Sequence, residues 1–285
     1  MPDSYALFGY PVQHSWSPFI HGLFARQTGQ DMMYRLHEAP PDQFRHDLLE
    51  FFFEQGGSGA NVTLPHKRAA AELVNELTPR AQVADAVNTV LRRDGELIGD
   101  NTDGAGLVTD LRQNLQLNLT SPRILMLGAG GAARGVIGPL LELNPSTLVI
   151  ANRTANRAIE LAAEFSGRGA VSGAAFDGVE PLDPFDLIIN ATSASLKGEV
   201  PPIHSGAVDR NTVCYDMAYG IGETPFTRWA HDRGVRNVAQ GWGMLVEQAA
   251  EAFFVWRGVR PQTTPVLEAL HFRANYLASA ARSRS

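Results

Sequence analysis

Lysine is almost absent from this chain. Of its 24 basic residues only Lys67 and Lys197 are lysines, and the other 22 are arginines. Exposed positions evidently accept arginine, so a lysine that persists is a candidate for chemistry that arginine cannot perform. Lysine can give up its proton near neutral pH in a suitable environment, whereas arginine effectively cannot. Cysteine is scarcer still: the single Cys214 excludes an intramolecular disulfide framework and fits a reducing cytosol. No run approaches the ~18 apolar residues a membrane helix needs, so no membrane partner is expected. The segment Met1–Tyr10 lacks the basic flank and apolar core of a secretory signal, and a cytoplasmic protein is expected. A basic excess is missing too. The formal net charge is -6, which argues against a nucleic-acid partner. His14 and His21 flank a helix start without any ligand spacing around them, so no metal site is expected.

What remains is an ordinary globular composition. The chain has 285 residues, 44% of them hydrophobic and 19% charged, enough for two buried cores. Strand-like and helix-like runs alternate from the start, which predicts βαβ units and a largely parallel sheet. Strands are expected at Tyr5–Gly9, Met33–His37 and Asn61–Leu64. Helices are expected at Pro18–Thr28, with Ser17 as its cap, at Asp42–Gln55 and at Lys67–Glu76. Phe44, Leu48, Leu49, Phe52 and Phe53 are expected to share the buried face of the second helix. Ala86–Arg92 and Glu96–Gly99 read as a hairpin about Asp94-Gly95. Asp103–Leu115 reads as a helix between two domains. Later strands are expected at Arg123–Leu127, Thr147–Ala151, Leu187–Ala191, Val213–Asp216 and Val235–Ala239, followed by a helix at Met244–Trp256. The tail Arg282–Ser285 is expected to fray.

Between the strand Arg123–Leu127 and a helix lies Gly128-Ala129-Gly130-Gly131-Ala132-Ala133, the strand–turn–helix context of a dinucleotide phosphate loop. Gly128 permits the tight turn, Gly130 lets the backbone approach a pyrophosphate, and Ala133 allows close packing. The helix start offers free N–H groups to an anion. About 20 residues on, an acid would select NAD through the ribose 2′-hydroxyl. Here Asn152-Arg153-Thr154 stands instead, with Arg157 one turn later. Two guanidiniums at a helix start oppose its dipole unless an anion is present, and they fork onto phosphate well. That combination points to NADP.

Three polar clusters precede this loop: Ser15-Trp16-Ser17; Asn61-Val62-Thr63-Leu64-Pro65-His66-Lys67; and Ala86–Thr89 with Gly99–Gly104. They are rich in hydroxyls and amides and lie at or beyond predicted strand ends, where open α/β sheets bind ligands. Such a crevice suits a small substrate with several hydroxyls and a carboxylate, and a cleft that opens and closes around it is expected.

These motifs, with His14–Pro18, Gly59–Thr63, Tyr215-Asp216-Met217, Thr224-Pro225-Phe226 and Gly241-Trp242-Gly243-Met244-Leu245, resemble the shikimate dehydrogenase family from Phe8 to about Pro265. The resemblance implies an N-terminal α/β substrate domain (1–104), a Rossmann-type NADP-binding domain (105–240), and C-terminal helices (241–285) returning to the first domain. It implies NADPH-dependent reduction of 3-dehydroshikimate, by a monomer or homodimer, in chorismate and aromatic amino-acid biosynthesis. Lys67 and Asp103 would form the catalytic pair. Ser15 and Ser17 would bind the substrate carboxylate, with Thr63, Asn88, Tyr219 and Gln248 completing the substrate site. The cofactor would lie on Gly128, Ala129, Gly130, Gly131 and Ala132, on Asn152, Arg153, Thr154 and Arg157, and near Met217 and Gly241.

The chain departs from the family pattern at Trp16, where most members carry lysine, at His66, where most carry phenylalanine, and at Leu64, where valine is usual. Drift is one reading; altered substrate choice is the other, with a lost cation near the carboxylate and a titratable ring beside Lys67. A quinate-type paralogue and a non-catalytic nucleotide-binding sensor therefore stand beside the shikimate enzyme as alternatives.

Overall fold

A computed structural model of the chain describes residues 2–282, with side chains to residue 280. The expectation for Arg282–Ser285 falls outside the described residues, apart from the Arg282 backbone that ends a helix. The chain forms two compact units: Met1–Gly106 with Leu245–Leu270, and Leu107–Met244 with the chain from His271 onward.

The first unit holds a six-stranded sheet of β1 (Asp3–Gly9), β2 (Met32–Glu38), β3 (Gly57–Val62), β4 (Glu76–Leu77), β5 (Thr89–Arg93) and β6 (Glu96–Asp100), in the order β2-β1-β3-β5-β6-β4. Strands β2, β1 and β3 run parallel, but β5 is antiparallel to both β3 and β6. With β4 parallel to β6, three of the five pairings are parallel, and the sheet is parallel-rich with one antiparallel strand, β5, inserted. The cause is local: Asp94 and Gly95 take φ of 53° and 87°, a two-residue reversal that only an antiparallel pair can follow.

Helices α1 (Ser17–Thr28), α2 (Phe44–Phe53), α3 (Lys67–Leu73), α4 (Pro79–Ala84) and the start of α5 (Asp103–Thr109) accompany this sheet. Phe44, Leu48, Phe51 and Phe52 enter the core with Phe8, Val62, Val87, Val90 and Leu97. Phe53, expected on that face, is 52% exposed. Nine residues at 100° each place it about 180° from Phe44, while Phe51 is turned inward. The α1 cap also differs from expectation: Trp16 occupies the cap position with no side-chain cap hydrogen bond, and Ser17 is the first helical residue, its hydroxyl turned to Ser15. The expected helix from Lys67 ends at Leu73, and β4 and α4 follow, two short elements whose sequence carries no periodicity.

The second unit is a parallel sheet of β7 (Arg123–Leu127), β8 (Thr147–Asn152), β9 (Val171–Ala175), β10 (Leu187–Asn190), β11 (Val213–Asp216) and β12 (Asn237–Gln240), in the order β12-β11-β10-β7-β8-β9. This is the doubly wound order, and its reversal lies between β7 and β10. The unit also holds α6 (Gly131–Leu141), α7 (Ala155–Phe165) and α8 (Pro225–Asp232). Leu125, Leu127, Ile188, Cys214, Phe226 and Ala230 form its core. Burial pushes the Cys214 thiol up to about 12, so it packs as an apolar group.

The expected helix Asp103–Leu115 is two structures. After α5, Asp110–Asn114 is a π-helical turn, with the Leu115 amide reaching back to the Asp110 carbonyl at 2.9 Å. The buried Tyr215 hydroxyl donates to Asp110 Oδ2 at 2.6 Å. Burial raises the Asp110 carboxyl above its usual value, against the hydrogen bonds that lower it. Two further helices close the chain, α9 (Trp242–Arg257) and α10 (Thr264–Arg282). Leu245–Leu270 groups with the first unit and the chain from His271 with the second. Part of the reason is the His271 ring, which meets Trp242 edge-on at 6.3 Å.

Candidate active site

In the first unit the loop after β3 leads directly into chemistry. The Thr63 amide donates to the Phe8 carbonyl at 2.9 Å, the His66 amide closes a turn onto Thr63, and α3 starts at Lys67. Thr63 fits there because residue 9 is glycine: a Cβ on Gly9 would lie 2.4 Å from the Thr63 methyl. The Val87 amide donates to the Lys67 carbonyl at 2.8 Å, binding α3 to the segment that carries Asn88.

Lys67 Nζ donates to Asp103 Oδ2 at 2.5 Å. The two side chains are only 14% and 6% exposed, so the pair is held away from bulk water. The other Asp103 oxygen, Oδ1, accepts from Asn88 Nδ2 at 2.8 Å. The same amide group lies 2.9 Å from Thr102 Oγ1 and 3.4 Å from Gln248 Oε1, while Asn88 Oδ1 accepts from the Thr102 amide at 2.9 Å. The family resemblance implies that Asn88 belongs to the substrate site. Within the protein its amide is engaged in fixing Asp103.

A second strand of polar contacts starts at the serines. The Ser17 amide donates to Ser15 Oγ at 3.2 Å, and Ser15 Oγ donates to Ser17 Oγ at 3.1 Å. Tyr34, on β2, donates to Asn61 Oδ1 at 2.7 Å; Asn61 Nδ2 then reaches the Asn88 carbonyl and Thr89 Oγ1, each at 3.1 Å. Thr89 Oγ1 donates to Asn88 Oδ1 at 2.8 Å. Tyr34 and Thr89 were missed as site residues. Thr89 stood inside a motif, but Tyr34 lies in a strand whose alternation gave no polar signal.

His66 points the other way. It is buried, its Nε2 lies 2.7 Å from the Ala39 carbonyl, and its ring stacks on Phe44 at 4.3 Å. Burial lowers its pKa below the usual histidine value, against the Ala39 hydrogen bond. It is a neutral core ring, and the expectation of a titrating group beside the Lys67 amine is corrected: adjacent helix-start residues diverge, one into the core and one into the site. Trp16 is half-buried at the start of α1, edge-on to Phe19 at 6.2 Å.

In the second unit, Gly128 takes a φ of 107°, and its amide donates to the Ala151 carbonyl at 2.7 Å. Added Cβ atoms at Gly130 and Gly131 would meet nothing within 4 Å, so no protein packing requires glycine there. An exposed backbone at the start of an eleven-residue helix, beside Ala129 and Ala132, is a cradle for phosphate. Ala133 is fully buried. Asn152 ends β8 and donates to the Thr154 carbonyl at 3.0 Å; Thr154 is the α7 cap residue. Arg153 and Arg157 are exposed at that helix start, and neither has an acidic partner among the described residues. Arg134, nearby in sequence, is by contrast forked onto Glu164 at 2.5 and 2.6 Å. The residues present therefore fit a phosphorylated dinucleotide.

Met217 and Gly241 are locked together: a Cβ on Gly241 would lie 2.4 Å from the Met217 carbonyl oxygen. Tyr219 packs on Trp242 at 4.8 Å, and desolvation pushes its hydroxyl up to about 12. Asp216, unassigned by sequence, is buried at the end of β11. Its carboxylate accepts from Ser195, Thr224 and Asn190 at 2.6, 2.6 and 3.0 Å, pinning the loops at the strand ends.

With this geometry in place, the chain was compared with known proteins. Residues 7–90 match the shikimate dehydrogenase substrate-binding domain, 110–206 the shikimate/quinate 5-dehydrogenase family, and 241–271 the shikimate 5'-dehydrogenase C-terminal domain. The NADP(+) shikimate dehydrogenase of Methylococcus capsulatus is 53% identical over 270 residues, covering 94% of this chain and 96% of that one. Its counterpart in Aeromonas hydrophila is 55% identical over 269 residues, covering 94% and 97%. Among solved structures, the shikimate 5-dehydrogenase of Thermus thermophilus in complex with NADP(H) and shikimate superposes with a TM-score of 0.82. The two are 32% identical, with 95% of this chain and 99% of that one covered.

Proposed function

The chain belongs to the shikimate dehydrogenase family, and we propose that it reduces 3-dehydroshikimate to shikimate with NADPH, using Lys67 and Asp103 as its catalytic pair. The observation that carries this reading is the pair itself: an ammonium and a carboxylate at 2.5 Å, both largely buried, in a cluster of hydroxyls and amides.

The cofactor supplies the hydride, which goes to the carbonyl carbon of the ring. The chain's own residues handle the oxygen. Lys67 Nζ donates to the carbonyl oxygen, stabilises the charge that develops on it, and delivers the proton. Asp103 aims that amine, and Asn88, itself held by Thr102, aims Asp103. In the reverse direction Lys67 takes the proton back. The Ser15 and Ser17 hydroxyls bind the ring carboxylate; Thr63 and Gln248 complete the part of the substrate site that the first unit supplies. Arg153 and Arg157 hold the 2′-phosphate, and Gly128–Ala132 the pyrophosphate. No described helix is long and apolar enough to cross a membrane, and the single thiol is buried, both in keeping with a reaction in the cytoplasm.

Initial rates with shikimate and with quinate, each with NADP+ and NAD+, test the assignment. The expected outcome is turnover of shikimate with NADP+. Turnover of quinate with NAD+ and none of shikimate with NADP+ would assign the chain to the quinate branch, and silence with every ring alcohol would favour a sensor.

A further inference from the structure

Asp100 stands in the motif Gly99–Gly104, yet the proposed chemistry gives it nothing to do. Its side chain is 3% exposed, and a buried carboxylate persists only when paired. Arg80 supplies the pairing with two nitrogens: Nε lies 2.6 Å from Oδ1 and Nη2 lies 2.5 Å from Oδ2. Thr78 Oγ1 and the Asn101 amide add bonds to Oδ1 at 2.6 and 2.8 Å. One guanidinium nitrogen is left over. Arg80 Nη1 donates to Glu251 Oε1 at 2.8 Å, and Arg260 takes the other Glu251 oxygen at 2.5 Å.

The position of each end matters. Asp100 is the last residue of β6, three before Asp103; Glu251 is one turn along α9 from Gln248. The helices that carry Asp103 and Gln248 also touch closely. A Cβ on Gly106, one turn after Asp103, would lie 2.7 Å from the Gln248 amide nitrogen. We infer that Arg80 is a positioning residue, tying the strand end that presents Asp103 to the helix that presents Gln248 and so setting the spacing of both groups on the ring acid. This rests on the roles proposed above for Asp103 and Gln248. A planar fork with a third donor holds one carboxylate through two bonds and the second through a third; a lysine, a compact point charge, cannot reproduce the two-bond fork. Every residue assigned to the cofactor lies between Leu107 and Met244, outside the unit that contains this network. The effect of breaking it is therefore selective for the ring acid.

Steady-state kinetics of Arg80→Lys and Glu251→Gln test the inference, with thermal melts to verify folding. Glu251→Gln is the milder change, since it leaves the Arg80–Asp100 pair in place, and it carries the test if Arg80→Lys does not fold. The expected result is a rise of about tenfold in the KM for shikimate, as misplacement of binding groups produces, with the KM for NADP+ unchanged. In a Gln248→Ala background the Glu251→Gln effect should vanish, because the two act through one contact. An unchanged KM for shikimate in Glu251→Gln, a parallel rise for NADP+, or simple multiplication with Gln248→Ala overturns the inference. A wild type inactive on shikimate with NADP+ overturns the functional reading first, and this inference with it.

Discussion

Lys67 occupies the first position of α3, where a cation opposes the helix dipole. Asp103, at the start of α5, is favoured by its own helix and supplies the counter-charge. An arrangement that costs helix stability on one side is reasonable when the amine is needed for chemistry. Replacing Lys67 by alanine should cut kcat by about 10²–10⁴, the usual contribution of a positioned proton donor. NADP+ binding, followed by fluorescence titration, should be unaffected. A Lys67→Ala enzyme within tenfold of wild-type kcat would remove the residue from the mechanism. Arg153→Asp should reverse the sign of the charge at the 2′-phosphate. The ratio of kcat/KM for NADP+ over NAD+ should fall at least about tenfold, the equivalent of roughly one charge-assisted bond; an unchanged ratio would place the phosphate elsewhere. Lys67 was legible from composition because the chain has so few lysines. Arg80 was not: it is one arginine among 22, and its partners lie 20 and 171 residues away.

At the scale of elements, two glycines make opposite predictions. A Cβ on Gly243 would fall 1.8 Å from Asp110 Oδ1, so the start of α9 and the carboxylate of the π turn cannot both keep their places in Gly243→Ala. Overpacking of this kind costs about 1–3 kcal/mol, read as a lower urea midpoint. Gly130→Ala meets open space and has ordinary φ and ψ of -94° and -176°. Its urea midpoint should match wild type while its affinity for NADP+ falls; a destabilised Gly130→Ala would mean that the glycine serves the fold instead. Strands such as β7 were legible to the residue, because an apolar run met a glycine turn. Strand β9 was not. Its sequence Val-Ser-Gly-Ala-Ala shows no alternation, and Gly173 is there because α7 packs so closely that a Cβ would lie 2.3 Å from the Ala158 carbonyl oxygen. Close approach of two elements is a tertiary fact that no local pattern reports.

For the whole molecule, three histidines set the response to acid. His21 is fully buried against Tyr34, Phe253 and Trp256, and neither ring nitrogen has a hydrogen-bond partner among the described residues. Burial lowers its pKa to about 3. Burial also lowers His66 and His271, the latter against the pull of Asp110. A group kept neutral by the fold contributes stability in full above its unfolded value of about 6.5, and loses it as the pH falls below that. Each contributes a slope of up to about 1.4 kcal/mol per pH unit. Asp110 and Asp216, raised by burial, act in the opposite direction, in a window whose lower edge, about 3.9, lies well below that of the histidines. Melting temperature should therefore decline between pH 7 and pH 5, and His21→Phe should flatten the decline. An equal slope in that variant would show that His21 is not the source.

The first unit is also assembled from two stretches of chain, since Gln248 and Glu251 belong to Leu245–Leu270 while Asp103, Asn88 and Arg80 lie before Gly106. A ribosome adding ~5–20 residues per second takes roughly 7–30 s to travel from one stretch to the other. During that interval the nascent unit must hold Asp100 and Arg80 without Glu251, and the Lys67–Asp103 pair without its neighbouring helix. The second unit has all six of its strands by Gln240, yet the chain from His271 that groups with it emerges only after Leu245–Leu270, so the proposed substrate site gains its last helix before the second unit has all of its chain.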